Sequence, residues 1–105
     1  MNKKIQRIIW NPQPRQVLMM SKTEFEALYG GAAGGGKSDY LLAEALRQVH
    51  IPQYRAIIFR KTYPELADLI SRSHELYGNA FPKAKYNESK HCWRFPSGAI
   101  IYFGQ

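Results

Sequence analysis

Gly31-Ala32-Ala33-Gly34-Gly35-Gly36-Lys37-Ser38 is the stretch on which the reading of this 105-residue chain turns. It meets G-x-x-x-x-G-K-[ST] at every fixed position, the pattern of a phosphate-binding P-loop. A backbone that wraps phosphates must turn its N–H groups inward, through torsions that a β-carbon obstructs, and the run of glycines removes the obstruction. In such a loop the lysine, here Lys37, bridges the β- and γ-phosphates, and the hydroxyl of Ser38 sits on Mg²⁺. Asp39 follows directly and is grouped with the nucleotide-contacting residues. The implied ligands are ATP and Mg²⁺.

The flanks carry the order that the motif needs. Phe25-Glu26-Ala27-Leu28-Tyr29 alternates and reads as a strand; Lys37 to His50 places Leu41, Leu42, Ala45, Leu46 and Val49 at helical spacing, with Pro52 as its end. The alternative, a flexible Gly/Ala linker followed by a chance Lys-Ser, does not account for a strand on one side and an amphipathic helix on the other. Tyr54 to Arg60 is a short apolar run with charged ends, as in a buried parallel strand. Pro64 opens a second helix with Glu65 in its first turn and Leu66, Leu69, Ile70 and Leu76 as its apolar stripe, and Gly78-Asn79 is the expected stop. Lys85 to Ser89 is a further strand, and Cys92–Phe95 and Ala99–Phe103 flank Pro96-Ser97-Gly98 as a hairpin. Ahead of all this, residues 1–14 form a loose segment, and Arg15 to Lys22 a short helix. The expected class is α/β: parallel core strands closed by an antiparallel hairpin.

The net charge of +7 suggests an acidic partner such as nucleic acid or nucleotide, although much of that charge also serves simply to solvate a surface. A hydrophobic content of 45% is enough for a core and argues against wholesale disorder. Cys92 is the only cysteine, so an internal disulfide is impossible. No apolar run approaches the roughly 18 residues of a membrane span, and the basic start is too interrupted for a signal peptide. The expectation is a cytoplasmic protein. His50, His74, His91 and Cys92 lack the paired spacing of a zinc site.

Beyond the loop, the chain resembles the tailed-bacteriophage terminase large subunit. The likeness runs through Trp10 to Gln16, Leu28 to Ser38 and Phe59-Arg60-Lys61-Thr62-Tyr63-Pro64-Glu65-Leu66. It continues through Tyr86 to Ser89, Trp93 to Gly98 and Ile100 to Gly104. The resemblance implies a RecA/ASCE-like P-loop NTPase domain belonging to an ATP-driven motor that moves double-stranded viral DNA into procapsids. It implies a homo-oligomeric ring in the intact protein, working with a terminase small subunit and a portal in the bacterial host cytoplasm. It places Gln16 where the family reads adenine, and a carboxamide suits the N6 and N7 edge; an ordinary surface glutamine is the alternative. Arg60, at the carboxyl end of a strand, falls where open α/β sheets bind ligands. It is a candidate catalytic residue beside Lys37, approaching phosphate or DNA, or else a surface charge capping the strand.

The family also needs an Asp-Glu pair at the end of a later apolar strand, and no apolar strand of this sequence ends in an acid. Residues 1–105 are therefore expected to form the amino-terminal part of an ATPase domain, without the nuclease domain, and to turn over little ATP. Other readings stay open: a helicase-like P-loop ATPase, or an inactive prophage remnant. Lys83, Lys85, Lys90 and Arg94 interleave with Tyr86, Trp93, Phe95 and Tyr102. That is either a surface for DNA phosphates or a core-facing aromatic set with charges outside, and the alternation in Trp93-Arg94-Phe95 favours the second.

Overall fold

The computed structural model describes residues 25–30 and 37–105, Lys37 by its backbone alone. The expected short helix at 15–22, and Gln16 within it, lie outside the described residues, as do Gly31 to Gly36. The described elements are β1 (Glu26–Tyr29), α1 (Lys37–Ala45), a 3₁₀ turn (Leu46–Gln48), β2 (Arg55–Phe59), α2 (Tyr63–Ala80), β3 (Lys85–Asn87), β4 (Cys92–Arg94) and β5 (Ile100–Gly104). The chain is an α/β structure with one mixed sheet in the order β1-β2-β5-β4-β3. β1, β2 and β5 run parallel; β4 is antiparallel to both β5 and β3.

Register sorts the side chains between two faces. Glu26 pairs with Ala56, Leu28 with Ile58, Ala56 with Ile101, Ile58 with Phe103 and Trp93 with Ile101. That face meets Leu41, Leu42 and Ala45 of α1 and Leu66, Leu69 and Tyr77 of α2 in one buried cluster. Both helices therefore lie on the same side of the sheet. The opposite face carries a second apolar group, Phe25, Ala27, Ile57 and Phe59. Runs such as Ala56-Ile57-Ile58-Phe59 are apolar throughout because both faces of β2 are buried.

Polar side chains lock the layers. The Tyr77 hydroxyl donates to the Leu42 carbonyl at 2.9 Å, joining α2 to α1. The Trp93 indole N–H donates to Ser73 Oγ at 2.9 Å, and that hydroxyl donates to the Ile70 carbonyl at 2.6 Å. Ser73 is thus a fully buried polar member of the α2 stripe, which periodicity of apolar residues alone does not reveal. The helix also outruns its expected stop. Gly78 points into open space and lies within α2, which reaches Ala80 before Phe81 N–H caps onto the Tyr77 carbonyl at 2.8 Å. The Tyr77 anchor and the Phe81–Phe95 edge contact, 5.2 Å between centroids, hold the last turn against the glycine's propensity cost of about 1 kcal/mol. α1 is shorter than expected, its last turn tightening to 3₁₀ before Pro52.

The Pro96-Ser97-Gly98 turn is present, with Gly98 at φ +108°. Arg55 Nη1 donates to the Pro52, Tyr54 and Gly98 carbonyls, fastening this turn to the start of β2. Strand β3 stops at Asn87, whose Oδ1 accepts from the Lys90 N–H and the Ser89 hydroxyl. His91 takes φ +52° there, in the turn and outside the strand. Among the described residues no helix is long and apolar enough to cross a membrane.

Candidate functional site

The three parallel strands bring Gly30, Arg60 and Gly104 to one edge of the sheet. Gly30 N–H donates to the Phe59 carbonyl at 3.0 Å, and Arg60 N–H donates to the Gly104 carbonyl at 3.1 Å, so the ladder continues past the strand ends. This is the carboxyl edge, where open α/β sheets take ligands. Both helices start from it: α1 with Lys37 and Ser38, and α2 with Thr62 as its cap. Helix N-termini favour anions. The second one is already served, since the Thr62 hydroxyl accepts from Glu65 N–H at 3.3 Å.

Arg60 is not the surface charge that its sequence position allows. It is 3% exposed. Its side chain lies against Gly30, where a β-carbon would come within 2.7 Å of Arg60 Nη1, 2.8 Å of its Cδ and 3.0 Å of Leu41 Cδ1. The nearest carboxylate oxygen is Glu65 Oε1, 3.9 Å from Arg60 Nε, beyond hydrogen-bond range. Arg60 Nε, Arg60 Nη1 and Glu65 Oε1 are all buried without a hydrogen-bond partner among the described residues. Gly30, read from sequence only as part of the glycine turn, is thus the residue that admits this arginine. Glu65, read only as a dipole complement, is its ion-pair partner. Neither role has a signal in a single sequence, because each depends on a crossing of β2 beside β1.

Asp39 sits in the first turn of α1 and is engaged elsewhere. Arg72 of α2 grips it in a fork, Nε to Oδ1 at 2.8 Å and Nη2 to Oδ2 at 3.0 Å, and also pairs with Glu75. The hydrogen bond from Arg72, aided by its charge, holds the Asp39 carboxyl below the usual carboxylate range. Ser38 is half-buried, one residue into α1. An open recess of about 540 Å³ lies beside β1 and α1, lined by Leu28, Tyr40 and Leu41 with the carboxylates Glu26 and Glu44. Glu26 Oε1 accepts from the Tyr54 hydroxyl at 2.8 Å. Two carboxylates repel a polyphosphate, so the anion-favouring position is the strand edge, not this recess.

The basic and aromatic residues of the closing strands part company. Trp93 and Phe95 are buried, packed edge-on against Tyr77 at 5.7 and 5.5 Å. Arg94 is exposed and stands opposite Lys85 on the other face. The aromatics therefore build the core, and the charges lie outside it. Cys92 is buried, and burial pushes its thiol up from the usual value. Comparison with known proteins adds no relative: no protein-family model, curated protein or solved structure matches the chain.

Proposed function

We propose that this chain is the nucleotide-binding portion of a P-loop ATPase of the terminase large-subunit type, binding ATP with Mg²⁺ and serving a motor on double-stranded DNA. One observation carries the reading: β1 ends at Tyr29, α1 begins at Lys37, and the complete motif Gly31 to Ser38 spans the interval between them. A phosphate loop requires that order of strand, glycine turn and helix. In this reading Lys37 meets the β- and γ-phosphates, and Ser38 supplies a hydroxyl to the metal. The bound Mg²⁺ neutralises charge on the phosphate oxygens. By resemblance, Gln16 falls where the family reads adenine, and the excess of positive charge suits a DNA partner.

The donors near the strand edge fit an oxyanion. Gly30 admits the Arg60 side chain, whose Nε and Nη1 are buried without an acceptor among the described residues. Among the described residues the parallel strands end in Gly30, Arg60 and Gly104, none of them a carboxylate, while Glu65 pairs with Arg60 and Asp39 with Arg72. Binding without efficient cleavage is the result expected of these residues. Titration of a fluorescent ATP analogue tests the reading. Saturable binding that weakens in EDTA, and whose Mg²⁺ dependence is lost in Ser38→Ala, supports it. Binding indifferent to both changes contradicts it.

A further inference from the structure

We propose that Arg60 is an oxyanion receptor whose buried guanidinium takes the terminal phosphate of the bound nucleotide, with Glu65 holding it in place until the phosphate arrives. The inference rests on the nucleotide reading above and extends it, by naming the group that distinguishes a triphosphate from a diphosphate.

Buried polar groups are almost always hydrogen-bonded, and those that are not call for a reason. Here the three buried side-chain atoms without a partner among the described residues belong to one ion pair: Arg60 Nε, Arg60 Nη1 and Glu65 Oε1. Their separation of 3.9 Å gives Coulomb attraction without a hydrogen bond. A buried guanidinium left in this state is costly, and replacing such a pair by apolar side chains is often neutral or stabilising. A purely structural arginine would be expected to close on its carboxylate. Instead two N–H donors on different edges of its guanidinium, Nε and Nη1, stay without an acceptor among the described residues, and each can meet a phosphate oxygen.

Position selects which phosphate. Arg60 leaves the end of β2, one strand spacing of about 4.8 Å from the end of β1. Its guanidinium lies over Gly30, immediately before the motif, and near Leu41 of α1. In that reading the motif's backbone N–H groups serve the inner phosphates, and Lys37 reaches the β- and γ-phosphates. The arginine at the neighbouring strand end is placed to share the outermost with Lys37. Glu65 belongs to the first turn of α2, so an Arg60 drawn to phosphate changes what that helix end holds.

The test is calorimetry and thermal shift on the full chain with Mg-ATP, Mg-ADP and inorganic pyrophosphate, for wild type, Arg60→Gln, Arg60→Lys and Glu65→Gln. A charge-assisted hydrogen bond lost from Arg60→Gln weakens ATP about ten-fold or more and leaves ADP within about two-fold. Arg60→Lys falls between, and Glu65→Gln tightens ATP. Without ligand, Arg60→Gln leaves the half-buried Glu65 unpaired and melts lower whatever the role of Arg60, so the ATP-to-ADP ratio is the deciding readout. Equal loss of ATP and ADP, or no loss of either, overturns the inference and leaves the nucleotide reading standing. Pyrophosphate binding that depends on Arg60, with neither nucleotide bound, overturns the nucleotide reading and leaves the receptor. No binding of any probe overturns both. Should Arg60→Gln fail to fold, the ATP-to-ADP ratio in Arg60→Lys and Glu65→Gln decides in the same way.

Discussion

Arg60 lies across Gly30 so closely that a β-carbon on the glycine would sit 2.7 Å from the arginine's Nη1. The two residues are 30 positions apart and meet because β1 and β2 pair in parallel, Tyr29 beside Phe59. The contact fixes where Arg60, a buried arginine at this edge, can lie. Gly30→Ala must displace Arg60 or Leu41, and overpacking of this kind costs about 1–3 kcal/mol. Chemical denaturation should show a loss in that range. A variant as stable as wild type would mean that Arg60 swings aside freely.

Ser73 and Trp93 make a buried side-chain hydrogen bond in the core. Ser73→Ala removes the acceptor of the indole N–H and leaves a buried donor unpaired, which costs about 1–3 kcal/mol. A double-mutant cycle with Trp93→Phe isolates the pair. A coupling near zero would contradict the assignment.

Stability should fall on the alkaline side. Burial pushes the phenol of Tyr77 up. Burial first, and then the hydrogen bond and charge of Glu26, push up Tyr54. Tyr86 is pushed up to about 12, by burial and then by Cys92 and Glu88. The folded state thus keeps protons that the unfolded chain, with phenols near 10, gives up. Stability from these groups is whole below pH 10 and declines as the pH climbs through their folded values. Phenolate absorbance and loss of ellipticity should rise together above pH 10. Phenolate appearing from these residues while the fold stays intact would contradict the burial.

ATP turnover by this chain should be negligible. None of Gly30, Arg60 and Gly104 supplies a carboxylate, and each missing electrostatic contribution is worth about 10²–10³ in rate. A steady-state phosphate-release assay checks this. Rapid turnover abolished by Lys37→Ala would show that another group activates water.

The parallel strands, both helices and the closing hairpin are legible in the sequence because their apolar residues repeat at the right period and Pro and Gly punctuate them. Local signals fail where a distant contact decides. Gly78 reads as a stop, yet α2 continues to Ala80 because Tyr77 is pinned to Leu42. Ser73 falls outside the apolar stripe read from the sequence, Leu66, Leu69, Ile70 and Leu76, yet it is buried and accepts from Trp93. Arg60 was legible as a strand-end cation; its burial and its partner Glu65 were not, because both come from how β2 and α2 pack beside β1. Asp39 reads as a neighbour of the phosphate loop, but Arg72, 33 positions on, engages it. Gly31 to Gly36 and Gln16 lie outside the described residues, so the loop's role rests on its composition and on the two elements that flank it.

Calorimetric titration of Mg-ATP into the wild-type chain and into Lys37→Ala tests the central claim most directly. One saturable site in the wild type, with affinity reduced at least about ten-fold in the variant, is the predicted result, since the lysine makes charge-assisted contacts to phosphate. The absence of heat from binding in the wild type, or equal affinity in both proteins, would contradict the assignment of Gly31 to Ser38 as a phosphate loop.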